Sequence, residues 1–83
     1  MKYELTQHAT KALAEREISL AWVERTLDSP ELKAPDPDDP AVQRLFRRIP
    51  EFGNRVLRVA VNTTVEPVRV VSVFFDRTMK GKL

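Results

Sequence analysis

The sequence predicts an α+β domain in which two N-terminal helices pack on one face of a three- to four-stranded antiparallel sheet, in the order α-α-β-β-β. Three observations predict it. Apolar residues at helical spacing, with a cap signal before each run, fill the first 29 residues. Runs rich in β-branched residues, joined by a short turn, dominate the second half. Eighty-three residues leave room for one core only, so both halves must build it together. The expectation is a single domain over residues 1–83, with a helical hairpin at 5–29, a Pro/Asp-rich loop at 30–41 and the sheet at 42–77.

Leu5 through Arg16 reads as the first helix, capped by Thr6. At about 100° per residue, Leu5, Ala9, Ala12 and Leu13 form one stripe, Arg16 falls within it, and His8 sits at its edge. A guanidinium on an inward stripe needs an acceptor. Asp76 is the expected structural partner of Arg16, with Glu15 or a backbone carbonyl as alternatives. The second helix starts at Ser19, where Ile18 and Val23 form a hydrophobic staple, and buries Leu20, Val23 and Leu27. Ser29-Pro30 ends it, because proline cannot continue the ladder.

Residues 30–40 hold four of the six prolines and three of the five aspartates, so an extended surface loop is expected. Its acidity would either shield the basic half or be simply solvated. Residues 42–49 follow. Asp39-Pro40 would also start a helix, but Pro50-Glu51-Phe52-Gly53-Asn54 resembles a hairpin loop feeding the next strand, which favours a strand at 42–49. Residues 55–63 and 68–76 should pair as an antiparallel hairpin across Thr64-Val65-Glu66-Pro67. Alternation sets Leu57, Val59 and Val61 against the helices and Val56, Arg58 and Ala60 on the open face. On the last strand it sets Val71, Val73 and Phe75 inward, and Val70, Ser72, Phe74 and Asp76 outward. Some of Arg44, Arg47 and Arg48 should join Arg58 and Ser72 on the open face.

The net charge of +2 conceals a segregation: residues 1–42 carry −4 and residues 43–83 carry +6. That asymmetry points to an anionic partner for the second half, or to two halves that neutralise each other. No apolar run is long enough to span a membrane, and Met1-Lys2-Tyr3-Glu4 is no secretory stretch, so a cytoplasmic protein without a membrane partner is expected. Absent cysteine and a single histidine argue against a metal or cofactor site. Arginines beside aromatic and hydroxyl groups on a sheet face suit RNA, because guanidinium forks pair with phosphate oxygens. His8 is the one histidine of the chain, the residue type that ordinarily titrates near neutrality, which makes it the candidate acid or base. The competing reading is a histidine that simply caps the helix or packs at its edge.

His8-Ala9, Glu15-Arg16-Glu17-Ile18, Ile49-Pro50-Glu51, Arg55-Val56-Leu57-Arg58-Val59, Val70-Val71-Ser72 and Phe75-Asp76-Arg77 together resemble a family of small bacterial domains grouped with the BrnT-like and RelE-like toxins of toxin-antitoxin systems. The resemblance runs from Leu5 to Arg77. It implies a RelE-like fold and a metal-independent endoribonuclease of a type II toxin-antitoxin system, acting on RNA, at the ribosome in some relatives, and silenced by a small antitoxin protein. Carried onto this chain, it makes His8 the acid or base, Arg58 with Arg47 or Arg48 the phosphate clamp, and Ser72 a hydroxyl that orients the phosphate. Arg44 joins the substrate-binding arginines, and Arg16 with Asp76 is the pair beneath the site. Ala12 stands where related domains often carry arginine. The alternative is a non-catalytic RNA- or protein-binding module of the same fold. A third reading is a structural partner whose sheet edge adds a strand to another protein.

Overall fold

The computed structural model describes residues 2–83. Two helices pack on a five-stranded, mostly antiparallel sheet. The elements are β1 (Tyr3–Leu5), α1 (Gln7–Arg16), α2 (Leu20–Asp28), β2 (Leu32–Pro35), β3 (Val42–Ile49), β4 (Arg55–Asn62) and β5 (Val68–Phe75), with short 3₁₀ turns at Pro50–Phe52 and Arg77–Met79. The strand order is β1-β5-β4-β3-β2.

The α+β class and the two helices on one face are as the sequence predicts, and residues 42–49 are a strand. Thr6 and Ser19 cap the helices, accepting from the backbone N–H of Ala9 and Ala21. The sheet carries more strands than expected. Residues 3–5, read partly as helix, form β1, which runs parallel to β5 with Tyr3 opposite Val68 and Leu5 opposite Val70. Residues 32–35, read as loop, form β2 on the outer side of β3. Pro35 sits at the end of that edge strand, where a missing N–H costs no ladder bond.

The core lies between the helices and one sheet face. Ala9, Ile18, Val23 and Leu27 meet Leu45, Ile49, Leu57, Val59, Val61, Val70 and Val73. Val70 belongs to this face although strict alternation assigns it to the other. The register shifts between Ala60 and Val61: Ala60 pairs with Ser72 but Val61 pairs with Val70, leaving Val71 as the extra residue of a bulge. The bulge turns Val70 inward while Ser72 and Phe74 stay on the open face.

Arg16 is not in the core. α1 buries Ala9 and Ala12, and the chain leaves the helix at Glu17 in a left-handed conformation, φ 53°, so Arg16 occupies an exposed last turn. Its expected partner, Asp76, is held elsewhere: one carboxylate oxygen accepts from the Thr78 N–H and hydroxyl, the other from Arg58. The Arg16–Asp76 pair is therefore replaced by Arg58–Asp76.

Candidate nucleic-acid interface

The pairing register lays rows of side chains across the sheet face opposite the helices. One row reads Arg44, Ala60, Ser72; the next reads Phe46, Arg58, Phe74. Beyond them Arg48 lies opposite Val56, whose carbonyl accepts from the Asp76 N–H. Ala60, between Arg44 and Ser72, is the smallest residue in these rows and is itself buried, flanked by a guanidinium and a hydroxyl. Arg44 and Arg58 occupy adjacent strands one row apart, a diagonal that long side chains span.

Arg58 is tightly held. Its guanidinium carbon lies 3.9 Å from the Phe74 ring centroid, and Nη1 donates to Asp76 at 3.3 Å. Its buried Nε has no hydrogen-bond partner. Burial lowers the Arg58 pKa, the neighbouring Arg44 charge lowers it further, and Asp76 and Asp36 offset part of the effect. Arginine nonetheless stays cationic. Two like charges thus share a partly desolvated patch, an arrangement that an anion bridging them would relieve.

Arg44, Arg48 and Arg58 each have an acidic neighbour in the protein. Arg44 Nε donates to Asp36 at 3.2 Å. Asp36 also accepts from the Asp38 and Asp39 N–H groups, and the Asp38 bond leads in holding its carboxyl below the ordinary range, against some desolvation. Arg48 makes a two-pronged pair with Glu31, closest approach 2.7 Å, and that bond above all depresses the Glu31 pKa to about 2. Asp36 and Glu31 flank β2, so the acidic first half lies along the edge of the basic face. Neither acid was singled out from the sequence as a partner. The Asp-Pro-Asp-Asp run announces a turn, but only the β2–β3 register shows which arginine it meets.

The structure brings Arg44, Arg48, Arg58 and Ser72 to one face and excludes two other candidates. Arg47 shares the helix-side face with Leu57, its partner across the ladder, and donates to the Ser29 carbonyl at 2.7 Å, pinning the end of α2 to the sheet. His8 is exposed in the first turn of α1, next to the buried Ala9. It therefore stands on the helical layer, with the sheet between it and Arg58. Among the described residues, no three His, Asp or Glu side chains gather as metal ligands. No helix among those residues is long and apolar enough to cross a membrane.

No curated protein and no solved structure matches this chain. A family model does match, over residues 5–75, which takes in both helices and all of the sheet beyond the first two residues of β1. The chain belongs to that family, described as a domain of unknown function, DUF4258.

Proposed function

We propose that the chain binds RNA on the open face of the sheet, with Arg44 and Arg58 on the phosphodiester backbone and Ser72 hydrogen-bonding a phosphate oxygen. The observation that carries this reading is the placement of two guanidiniums from adjacent strands around the small Ala60, with a hydroxyl on the far side. Stacking on Phe74 fixes the Arg58 plane in advance, so little orientational freedom is lost on binding. RNA phosphate would displace Asp36 from Arg44, exchanging one anion for another.

Binding without turnover is the first reading because His8 lies across the sheet from these arginines. Cleavage by a toxin-like endoribonuclease, silenced by a small protein antitoxin covering the same arginines, is the second. It is favoured by the Arg44–Arg58 proximity, since paired guanidiniums also stabilise the charge that builds on a pentacovalent phosphate. One experiment separates the two: the protein is incubated with single-stranded RNA in excess chelator, and both binding and strand integrity are followed across a salt series. Binding that weakens with salt while the RNA stays intact supports the first reading. Cleavage abolished by Arg58→Ala supports the second. Affinity indifferent to salt, or unchanged when Arg44 and Arg58 are both replaced by Ala, overturns phosphate recognition on this face.

A further inference from the structure

A second concave feature lies at the end of the sheet, beyond the arginine rows. A cleft of about 340 Å³ opens where β4 begins and β5 ends, with Asn54, Arg55, Val56, Phe75, Arg77 and Lys80 among its walls. Its charges differ from those of the open face. Arg44, Arg48 and Arg58 each have a carboxylate within bonding distance. Arg55, Arg77 and Lys80 are in none of the ion pairs formed among the described residues. The one acid on the cleft wall, Asp76, is already committed to Thr78 and Arg58.

One of the three cations is also held in position. The Arg55 guanidinium carbon lies 4.6 Å from the Phe52 ring centroid. Phe52 packs on Phe75 at 5.0 Å and on Trp22 at 5.5 Å, so Arg55 rests on an aromatic cluster anchored in α2 and β5. The walls combine three cations with apolar surface from Val56 and Phe75 and the amide of Asn54. A small anion with an apolar, hydrogen-bonding body fits that combination better than a bare ion. The volume is at the lower end of the range for small-molecule sites, roughly 300–1,000 Å³.

We infer that this cleft binds a nucleoside phosphomonoester, with Arg55, Arg77 and Lys80 on the phosphate and the base against the apolar wall. The inference does not rest on the RNA reading, because the cleft uses none of Arg44, Arg58 or Ser72. The phosphate comes either from a free mononucleotide or from the terminal phosphate of an RNA strand.

Amide NMR titrations with adenosine 5′-monophosphate, and with one short oligoribonucleotide bearing or lacking a 5′-phosphate, test it. Mononucleotide should shift the amides of Asn54, Arg55, Arg77 and Lys80. The Arg55→Ser, Arg77→Ser double variant should weaken that binding by roughly tenfold or more, each lost charge-assisted bond contributing. The Arg44→Ala variant should leave it unchanged, since it keeps Arg58 on Asp76 at the cleft wall. A 5′-phosphorylated strand that binds at these amides more tightly than the mononucleotide identifies a strand end as the source. Equal affinities identify the free nucleotide. No shift at millimolar mononucleotide, shifts confined to Arg44, Arg58 and Ser72, or a mononucleotide affinity indifferent to the Arg55→Ser, Arg77→Ser change overturns the inference. Arg55 and Arg77 are exposed and Arg44 is half-buried, and amide dispersion verifies that each variant remains folded.

Discussion

Arg58 and Asp76 form the most enclosed ion pair among the described residues, with side chains 19% and 9% exposed and a closest approach of 3.3 Å. The pair joins the middle strand to the turn that follows the last one. Asp76 accepts from Thr78 and so caps that turn, while Arg58 faces the row of side chains proposed to meet phosphate. One acid therefore supports both the end of the sheet and the posture of the candidate clamp.

Asp76→Asn should destabilise the fold by about 1–3 kcal/mol, because it leaves a partly buried guanidinium without its counter-charge. Burial alone would raise the Asp76 pKa; the Thr78 bonds and the Arg58 and Arg44 charges outweigh it and hold the carboxyl below its ordinary value. A carboxyl depressed in the folded state stabilises above the ordinary aspartate range, and that stabilisation disappears as pH falls through the depressed value. Urea titrations at neutral pH and near pH 3 check both parts: the difference between parent and variant should be larger at neutral pH. Equal stability at neutral pH would show that the pair contributes nothing.

Acid should loosen the chain through Glu31 and Glu51 as well. Arg48 brings the first, and Arg25 the second, down to about 2 from the ordinary 4.5. Their contribution is complete above the unfolded-state value and lost between about pH 4.5 and pH 2. Both pairs face solvent, so the effect is modest and should shrink with added salt. The Glu31→Gln, Glu51→Gln double variant should flatten this limb of the stability-against-pH curve, measured by thermal melts across the range. A limb of unchanged steepness would assign acid sensitivity to other groups.

Thr6→Ala should cost about 1–2 kcal/mol, more than an ordinary exposed cap. Thr6 Oγ1 accepts from Ala9 N–H as the helix cap and donates to the Val71 carbonyl, while its own N–H donates to the Val70 carbonyl. The hydroxyl thus ties the start of α1 to the bulge in β5. Chemical denaturation measures the loss, and Thr6→Ser, which keeps the hydroxyl, should recover most of it. A serine variant as unstable as the alanine one would mean that the methyl group, not the bond, matters.

Much of this architecture was legible because its signals are local. Thr6 and Ser19 announce caps within three residues of the groups they serve, and the alternation of Leu57, Val59 and Val61 needs no partner to be read. The misreadings have non-local causes. Tyr3–Leu5 is too short to display a period and becomes a strand only by pairing with β5, more than 60 residues away. Strict alternation places Val70 on the open face, but a bulge at Val71 resets it, and nothing in Val-Arg-Val-Val marks the bulge. Arg16 fits the α1 stripe arithmetically, but the helix buries only Ala9 and Ala12 and ends at Arg16 itself. At the site, Arg58 and Ser72 follow from strand alternation. The exclusion of His8 follows from which side of the sheet the helices take relative to the arginines, and the position of Arg47 from the β3 register.

His8→Ala should leave RNA affinity within about twofold of the parent, whereas the Arg44→Ala, Arg58→Ala double variant should reduce the dependence of log affinity on log salt by about 1.4, corresponding to two single-strand phosphate contacts. Fluorescence anisotropy with labelled single-stranded RNA across a salt series reads both. A large loss with His8→Ala would bring the helical layer into the interface and contradict the assignment of binding to the open face.

Asp36→Asn provides the sharpest test of how the acidic edge relates to the basic face. Asp36 supports its own turn by accepting from Asp38 and Asp39, and the asparagine side-chain oxygen can keep those bonds. What the substitution removes is the charge facing Arg44 Nε at 3.2 Å and, at longer range, part of the field on Arg58. If Asp36 competes with phosphate for Arg44, the variant should bind single-stranded RNA several-fold more tightly at low salt, with the advantage narrowing as salt rises. Its stability should change little, because the pair is partly exposed to solvent. The gain should vanish when Arg44→Ala is added, since the two substitutions act on one contact and are therefore non-additive. A gain that persists without Arg44 would reflect only the general change in net charge, and no gain at all would mean that RNA does not use Arg44.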